Sequence, residues 1–369
     1  MKSKLKVGSM FAGVGGMCLG FLNANNSDAE FTLEWANEID KHACHTYRHN
    51  FKHALLEGDI NSVLHPENSN DIEHYTKLHN QMFANPIDVL NGGFPCQSFS
   101  ITGERKGLDD ERGNLFLSVV DLINQLDMKF NQKPKFLLLE NVKNLKMHDS
   151  GRTYSIIKSK FEECGYTIKE AILNTKIHSD LPQNRERLYI VGFLNKNDAD
   201  KFTMFDNLER YAKDKTAEQR AIDIQNIINY TEQDKVYFYT KDKYPKFFCS
   251  QLNFNEEIDE MYQFYQLRRN TYIRKNQSNV CPTLTANMGT GGNNMPIILT
   301  KYGIRKLTPA ETFKLQGFPI GNGYNLPTEY NGRKYANTQL YKQAGNAVSV
   351  PIVKLVAEEL LRVAKPTEV

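Results

Sequence analysis

Apolar residues in this chain gather in short runs, most of them ending in glycine or an acidic residue, with helix-like stretches between. Leu5–Phe11 runs into the turn Ala12-Gly13-Val14-Gly15-Gly16, and Met17–Ala24 then reads as helix. Phe31–Ala36 is strand-like and stops at Asn37-Glu38, before a helical stretch from Lys41 to Phe51 and the turn Gly58-Asp59-Ile60. Ile87–Leu90 leads into Gly92-Gly-Phe-Pro-Cys-Gln-Ser-Phe-Ser100, and Phe136–Leu139 ends at Glu140-Asn141-Val142. Further strands are expected at Thr167–Leu173 and Leu188–Phe193. Strands with one wet face alternate, whereas continuous runs mark strands covered on both. The pattern therefore predicts a doubly wound, mostly parallel α/β sheet. Gly13–Gly16, Glu38, Asp59, Cys96 and Glu140 all fall at carboxyl ends of these strands, the edge where open α/β sheets bind ligands. One site assembled from five loops is expected.

Beyond Phe193 the regularity fades. Lys196–Asp259 is mixed, charged and tyrosine-rich, and Cys281–Pro296 is rich in Gly, Asn and Thr, a loop composition. Pro351–Ala364 returns to helical spacing, with Pro351 suited to a first turn. The expected division is a main domain of 1–230 with 337–369, and a smaller, irregular domain of 231–336.

The net charge of +3 is too small to prove a polyanion partner, but its distribution is informative. Met261–Ala310 holds seven Lys or Arg and no Asp or Glu, interleaved with aromatics, which fits phosphate neutralisation along nucleic acid. The six cysteines form no C-x-x-C pair and no signal peptide is evident, so they read as reduced thiols of a cytoplasmic protein. No apolar run is long enough to cross a bilayer. His42, Cys44, His45 and His49 lack a second ligand pair elsewhere and read as a polar helix face rather than a metal site.

The G-V-G-G turn is not the full dinucleotide fingerprint. Glu38, however, ends the second strand, where a carboxylate accepts from ribose hydroxyls, and Asp59 is placed to accept from an adenine amine. The missing third glycine and the lack of a phosphate clamp favour S-adenosylmethionine over a pyrophosphate cofactor. A single thiol, Cys96, in a glycine- and proline-shaped turn suggests a held nucleophile, the bland alternative being a buried core cysteine.

Six segments, in this order, resemble the DNA (cytosine-5)-methyltransferases of bacterial restriction–modification type: Phe11-Ala-Gly-Val-Gly-Gly16, Gly93-Phe-Pro-Cys-Gln97, Glu140-Asn-Val142, Gln183-Asn-Arg-Glu-Arg187, Arg305-Lys-Leu-Thr-Pro309 through Gln316-Gly-Phe-Pro319, and Gly345-Asn-Ala-Val348. The resemblance implies a Rossmann-like S-adenosylmethionine-dependent fold with a target-recognition domain, and methyl transfer to C5 of a cytosine in a short duplex sequence. In that chemistry Cys96 adds to C6, Glu140 faces the Watson–Crick edge of the base, and Arg185 and Arg187 hold the base carbonyl and neighbouring carboxylates. The base must leave the stack to be reached. The resemblance places Phe11, Ala12, Gly13, Gly15, Gly16, Glu38, Ile39, Asp59, Ile60, Pro95, Leu115, Asn346 and Ala347 about the cofactor. It places Gln97, Ser100, Arg112, Thr283, Leu284, Gly291 and Gly292 on DNA. Ser98–Asn114 is expected to close over the duplex, with Arg105, Lys106 and Arg112 on phosphates. Arg268, Arg269, Arg274, Asn287 and Asn293 are the candidates for reading bases.

Three rivals remain open from sequence: a tRNA cytosine-5 methyltransferase, an inactive DNA-binding homologue, and a dinucleotide-dependent oxidoreductase. The expected partner is double-stranded DNA, bound by a monomer. A restriction endonuclease of the same specificity would act separately.

Overall fold

The computed structural model describes residues 2–94, 115–249, 251–261, 263–268, 271–276, 279–290 and 295–364. The chain divides into two compact units, the first comprising 1–173, 186–211 and 350–369, the second 174–185 and 212–349.

The first unit is built on seven strands: β1 (Ser3–Met10), β2 (Ala29–Glu38), β3 (Ala54–Glu57), β4 (Val89–Gly92), β5 (Phe136–Val142), β6 (Thr167–Asn174) and β7 (Glu186–Phe193). They lie in the order β3-β2-β1-β4-β5-β7-β6. β1 pairs in parallel with both β2 and β4, and β5 in parallel with β4, while β7 runs antiparallel to β5. The winding reverses between β1 and β4, which makes the edge beyond Met10 and Gly92 the topological switch point. All four residues of β4 and the first six of β5 are buried, which is why Val89–Leu90 and Phe136–Leu139 read as apolar without alternation.

Helices α1 (Gly16–Leu22), α2 (Lys41–Asn50), α3 (Ile60–Leu64), α4 (Ile72–Met82), α5 (Leu115–Phe130) and α6 (Arg152–Glu163) flank the sheet. Neighbouring residues of β2 serve two cores. Trp35 packs into the large cluster that contains Leu56, Ile60, Leu78, Val119 and Ile157, whereas Ala36 joins Ala12, Cys18 and Tyr47 in a smaller one. The last helix, Val350–Val363, lies against α1. A Cβ on Gly20 would come within 2.5 Å of Val353, so only glycine allows that approach.

In the second unit, β8 (Phe248–Cys249) and β9 (Leu252–Asn253) form a small hairpin, and β10 (Phe264–Arg268), β11 (Tyr272–Lys275), β12 (Pro296–Thr300) and β13 (Gly303–Lys306) form an antiparallel sheet in the order β11-β10-β12-β13. Phe247 and Phe254 stack at 4.9 Å and join Tyr265, Leu267, Ile297 and Ile304 in its core.

The boundaries differ from 231 and 337 for reasons visible in the hydrogen bonds and packing. Asn229, which follows the helix Ala217–Ile227, donates its backbone N–H to Glu311 and accepts from Arg305. The helix Asn337–Asn346 is tied to Leu307 by the hydroxyl of Tyr341, whose ring covers Gly289. Residues 174–185 join the same unit through the bridge from Gln183 to Cys281.

Candidate active site

Three left-handed backbones shape the turn after β1: Phe11 (φ 53°), Gly13 (φ 56°) and Gly15 (φ 85°). The Ala12 amide donates to the Asn37 carbonyl at 2.9 Å, and the Gly13 amide donates to Glu38 Oε2 at 2.7 Å. Glu38 Oε1 accepts from the amides of Ile39 (2.9 Å) and Asp40 (2.8 Å). Burial pushes the Glu38 carboxyl up from its ordinary value, against the pull of these three donors. The carboxyl is thus fixed at the strand end.

These residues fit an adenosine-bearing ligand. A Cβ on Gly13 would meet nothing within 4 Å, so the turn is open there. Ile39 is 61% exposed, a large apolar side chain beside a polar cradle. Asp59 caps α3 through Oδ1, which accepts from Asn61 at 2.8 Å, and its other oxygen has no partner among the described residues. Ile60 is buried beneath it and Gly16 opens α1, while Leu115 opens α5.

Farther along the same edge, Arg187 Nε lies 3.1 Å from Glu140 Oε1, with both side chains largely buried. The antiparallel course of β7 sets Arg187 opposite Val142 and so beside the end of β5. Lys143 pairs with Glu186 on the flank. A Cβ on Gly93 would stand 3.5 Å from Glu140 Oε2, so the backbone leaving β4 runs alongside that carboxylate. Asn141 Nδ2 donates to the Phe94 carbonyl at 3.0 Å, anchoring the chain two residues before Cys96. Ser9 Oγ donates to Asn91 Oδ1 at 2.8 Å and ties β1 to β4 just behind the edge. Sequence alone gives Asn141 no role. Its amide beside the carboxylate in Glu-Asn-Val was the available signal.

Arg185 is held within the second unit. It is 2% exposed, and its guanidinium donates to the carbonyls of Leu284 (3.1 Å), Gly345 (3.3 Å) and Ala347 (2.7 Å). Thr283 Oγ1 donates to the Asn184 carbonyl at 2.5 Å, and Gln183 Oε1 accepts from the Leu284 amide at 3.2 Å. Leu284 is fully buried, Ala347 is buried and Asn346 is exposed. Arg268 is half-buried, and Arg274 and Asn287 are exposed. Pro95, Cys96, Gln97, Ser100, Arg105, Lys106, Arg112, Arg269, Gly291, Gly292 and Asn293 lie outside the described residues. Among the described residues no group of His, Cys, Asp and Glu could hold a metal, and no helix is long and apolar enough to cross a membrane.

Residues 5–362 match the family described as C-5 cytosine-specific DNA methylase. The chain is 42% identical over 360 residues to the type II methyltransferase M.Bsp6I of Bacillus sp. (strain RFL6), covering 97% of this chain and 99% of that protein. It is 33% identical to the type II methyltransferase M1.ScrFI of Lactococcus lactis subsp. cremoris, over 99% of this chain and 80% of that one. Among solved structures, the S. pombe Dnmt2 methyltransferase aligns with a TM-score of 0.67 at 18% identity, covering 98% of this chain and all of that one. A putative DNA modification methyltransferase of an E. coli prophage aligns at 0.58 and 21%, covering 97% of this chain and 99% of that one. At such identities the structural likeness speaks for the fold.

Proposed function

The chain belongs to the C-5 cytosine-specific DNA methylases, and from that membership we propose that it methylates C5 of a flipped-out cytosine through a Cys96–C6 adduct. It is a DNA cytosine-5-methyltransferase of the type II restriction–modification kind. The observation that carries the finer reading is the pairing of Glu140 with Arg187 at the sheet edge, beside the Gly93–Phe94 backbone that leads into Cys96.

Cytosine C5 is a poor nucleophile while its ring stays aromatic. Addition of the Cys96 thiolate to C6 breaks the aromaticity and places enamine character on C5. Glu140 stands at N3 in this reading and stabilises charge there as the bond forms, with Arg187 fixing the carboxyl and reaching toward the base carbonyl. S-adenosylmethionine, when bound, supplies an electrophilic sulfonium methyl and leaves as S-adenosylhomocysteine. Glu38, Asp59, Ile39 and the open face of Gly13 are the groups that would hold it. Loss of the C5 proton and elimination of Cys96 then restore the ring and the free thiol, with no side chain assigned as the base. The substrate in this reading is duplex DNA, as the family membership implies, and its target base must be drawn out of the stack to be reached. The enzyme acts as a cytoplasmic monomer, separately from an endonuclease of matching specificity.

The test is bisulfite sequencing of DNA from cells expressing the protein, beside a Cys96→Ser control. Protected cytosines in one short recurring context, absent from the control, are expected. Soluble protein with no protected cytosine would overturn the DNA reading and make tRNA the next template.

A further inference from the structure

Gln183 and Arg185 grip one residue from both sides. Gln183 accepts the Leu284 amide, and Arg185 donates to the Leu284 carbonyl. The same guanidinium reaches the carbonyls of Gly345 and Ala347. Gln183 Nε2 also donates to the Leu315 carbonyl at 2.8 Å, and Gln316 Nε2 to the Ala344 carbonyl at 2.7 Å. Gly345 is in direct contact with the recognition segment: a Cβ there would lie 2.2 Å from the Thr285 carbonyl carbon. Three residues after Ala347 the chain enters the helix Val350–Val363, which presses on Gly20 of α1. α1 itself begins at Gly16, the last residue of the cofactor turn. The root of the recognition segment is therefore joined to that turn by one buried cation, three residues of chain and one close helix contact.

We propose that Arg185 is a positioning residue that couples engagement of DNA by the recognition segment to binding of the methyl donor; the proposal rests on the methyltransferase reading. The physical basis is the geometry of guanidinium. A planar fork satisfies three carbonyls in fixed directions, which a lysine ammonium on a flexible stem does not reproduce. The three carbonyls belong to two segments that are distant in sequence, so movement of either must be followed by the other or break charge-assisted hydrogen bonds. Two sites linked in this way show a coupling free energy, and the linkage is reciprocal.

The experiment measures S-adenosylhomocysteine affinity by calorimetry, with and without a duplex carrying the methylated sequence. Wild type is expected to bind it at least about fivefold tighter with that duplex than without. In Arg185→Lys this ratio falls toward one. A purely structural role would weaken both measurements alike and leave the ratio intact, which would overturn the proposal. A wild-type ratio near one would also overturn it. If Arg185→Lys does not fold, hydrogen exchange in the wild type decides. S-adenosylhomocysteine alone should slow exchange of the Leu284 amide, and unchanged exchange there refutes the coupling. Failure of wild type to bind S-adenosylhomocysteine at all would instead overturn the methyltransferase reading.

Discussion

Gly13 and Gly15 stand two residues apart in the same turn, yet replacing each by alanine should have opposite consequences. At Gly15, φ is +85°, and a Cβ would lie 2.2 Å from one ring carbon of Phe51 and 2.6 Å from another. That ring is itself held by Tyr47, whose centroid is 4.5 Å away, and by His53 at 5.7 Å, so it has little room to yield. A left-handed alanine costs about 1–2 kcal/mol and forced overpacking about 1–3, together about 2–5 kcal/mol. For a unit of this size that is a fall in Tm of about 5–15 °C. At Gly13, φ is +56° and the Cβ meets nothing within 4 Å, so only the backbone cost of about 1–2 kcal/mol applies. That Cβ would instead project into the space assigned to the cofactor. Gly13→Ala should keep most of its stability and lose at least about tenfold in S-adenosylhomocysteine affinity, equal to about 1.4 kcal/mol. Thermal denaturation and calorimetry on the two variants check both halves. A Gly13→Ala protein with wild-type affinity would refute the placement of the cofactor, and a Gly15→Ala protein as stable as Gly13→Ala would refute the packing argument.

Three other outcomes are expected. Burial holds the His53 imidazole down to about 4, with Nε2 2.6 Å from the Tyr47 hydroxyl. Its folded form resists the proton that the unfolded chain accepts below about pH 6.5, so this contribution is complete above that pH. It is lost as pH falls toward 4, by at most about 3 kcal/mol. Urea unfolding at pH 4.5 and 6.5 should show this slope in wild type, reduced in His53→Gln. Arg305 is fully buried and bidentate to Glu311, at 2.8 and 2.6 Å. Glu311→Gln should therefore destabilise by about 3–5 kcal/mol, and a joint Arg305→Met, Glu311→Leu replacement by less, as read from urea midpoints. Arg187→Ala removes the cation 3.1 Å from Glu140. Turnover on a duplex substrate should fall at least about 100-fold. Unchanged turnover would rule out Arg187 as a partner of the reacting base.

The parallel sheet was legible most directly at β5, whose buried Phe136–Leu139 is an unbroken apolar run, and less directly at β1 and β4, where buried Ser9 and Asn91 interrupt the apolar residues. With the strands in place, their carboxyl ends collect the glycine turn, Glu38, Asp59 and Glu140 without further information. The second unit was legible only by composition. Its strands have two to five residues, and its boundaries rest on single long-range bonds such as Asn229 with Arg305 and Glu311. No local pattern reveals those.

Arg185 and Arg187 show where sequence reading stops. The family resemblance gives them one shared role, holding the base carbonyl and neighbouring carboxylates. β7 begins between them, at Glu186. Arg187 therefore takes a place in the sheet ladder opposite Val142, and its side chain meets Glu140. Arg185 precedes the ladder, is free of its alternation, and turns to carbonyls 99 and 162 positions away. A strand start placed at Arg185 would put both arginines on one face, because residues i and i+2 of a strand point the same way. Strand boundaries are set by tertiary pairing partners rather than by the residues at the boundary. The division of labour between two arginines in one motif was therefore fixed by β5 and by the distant Leu284 and Ala347, outside the motif that carries them.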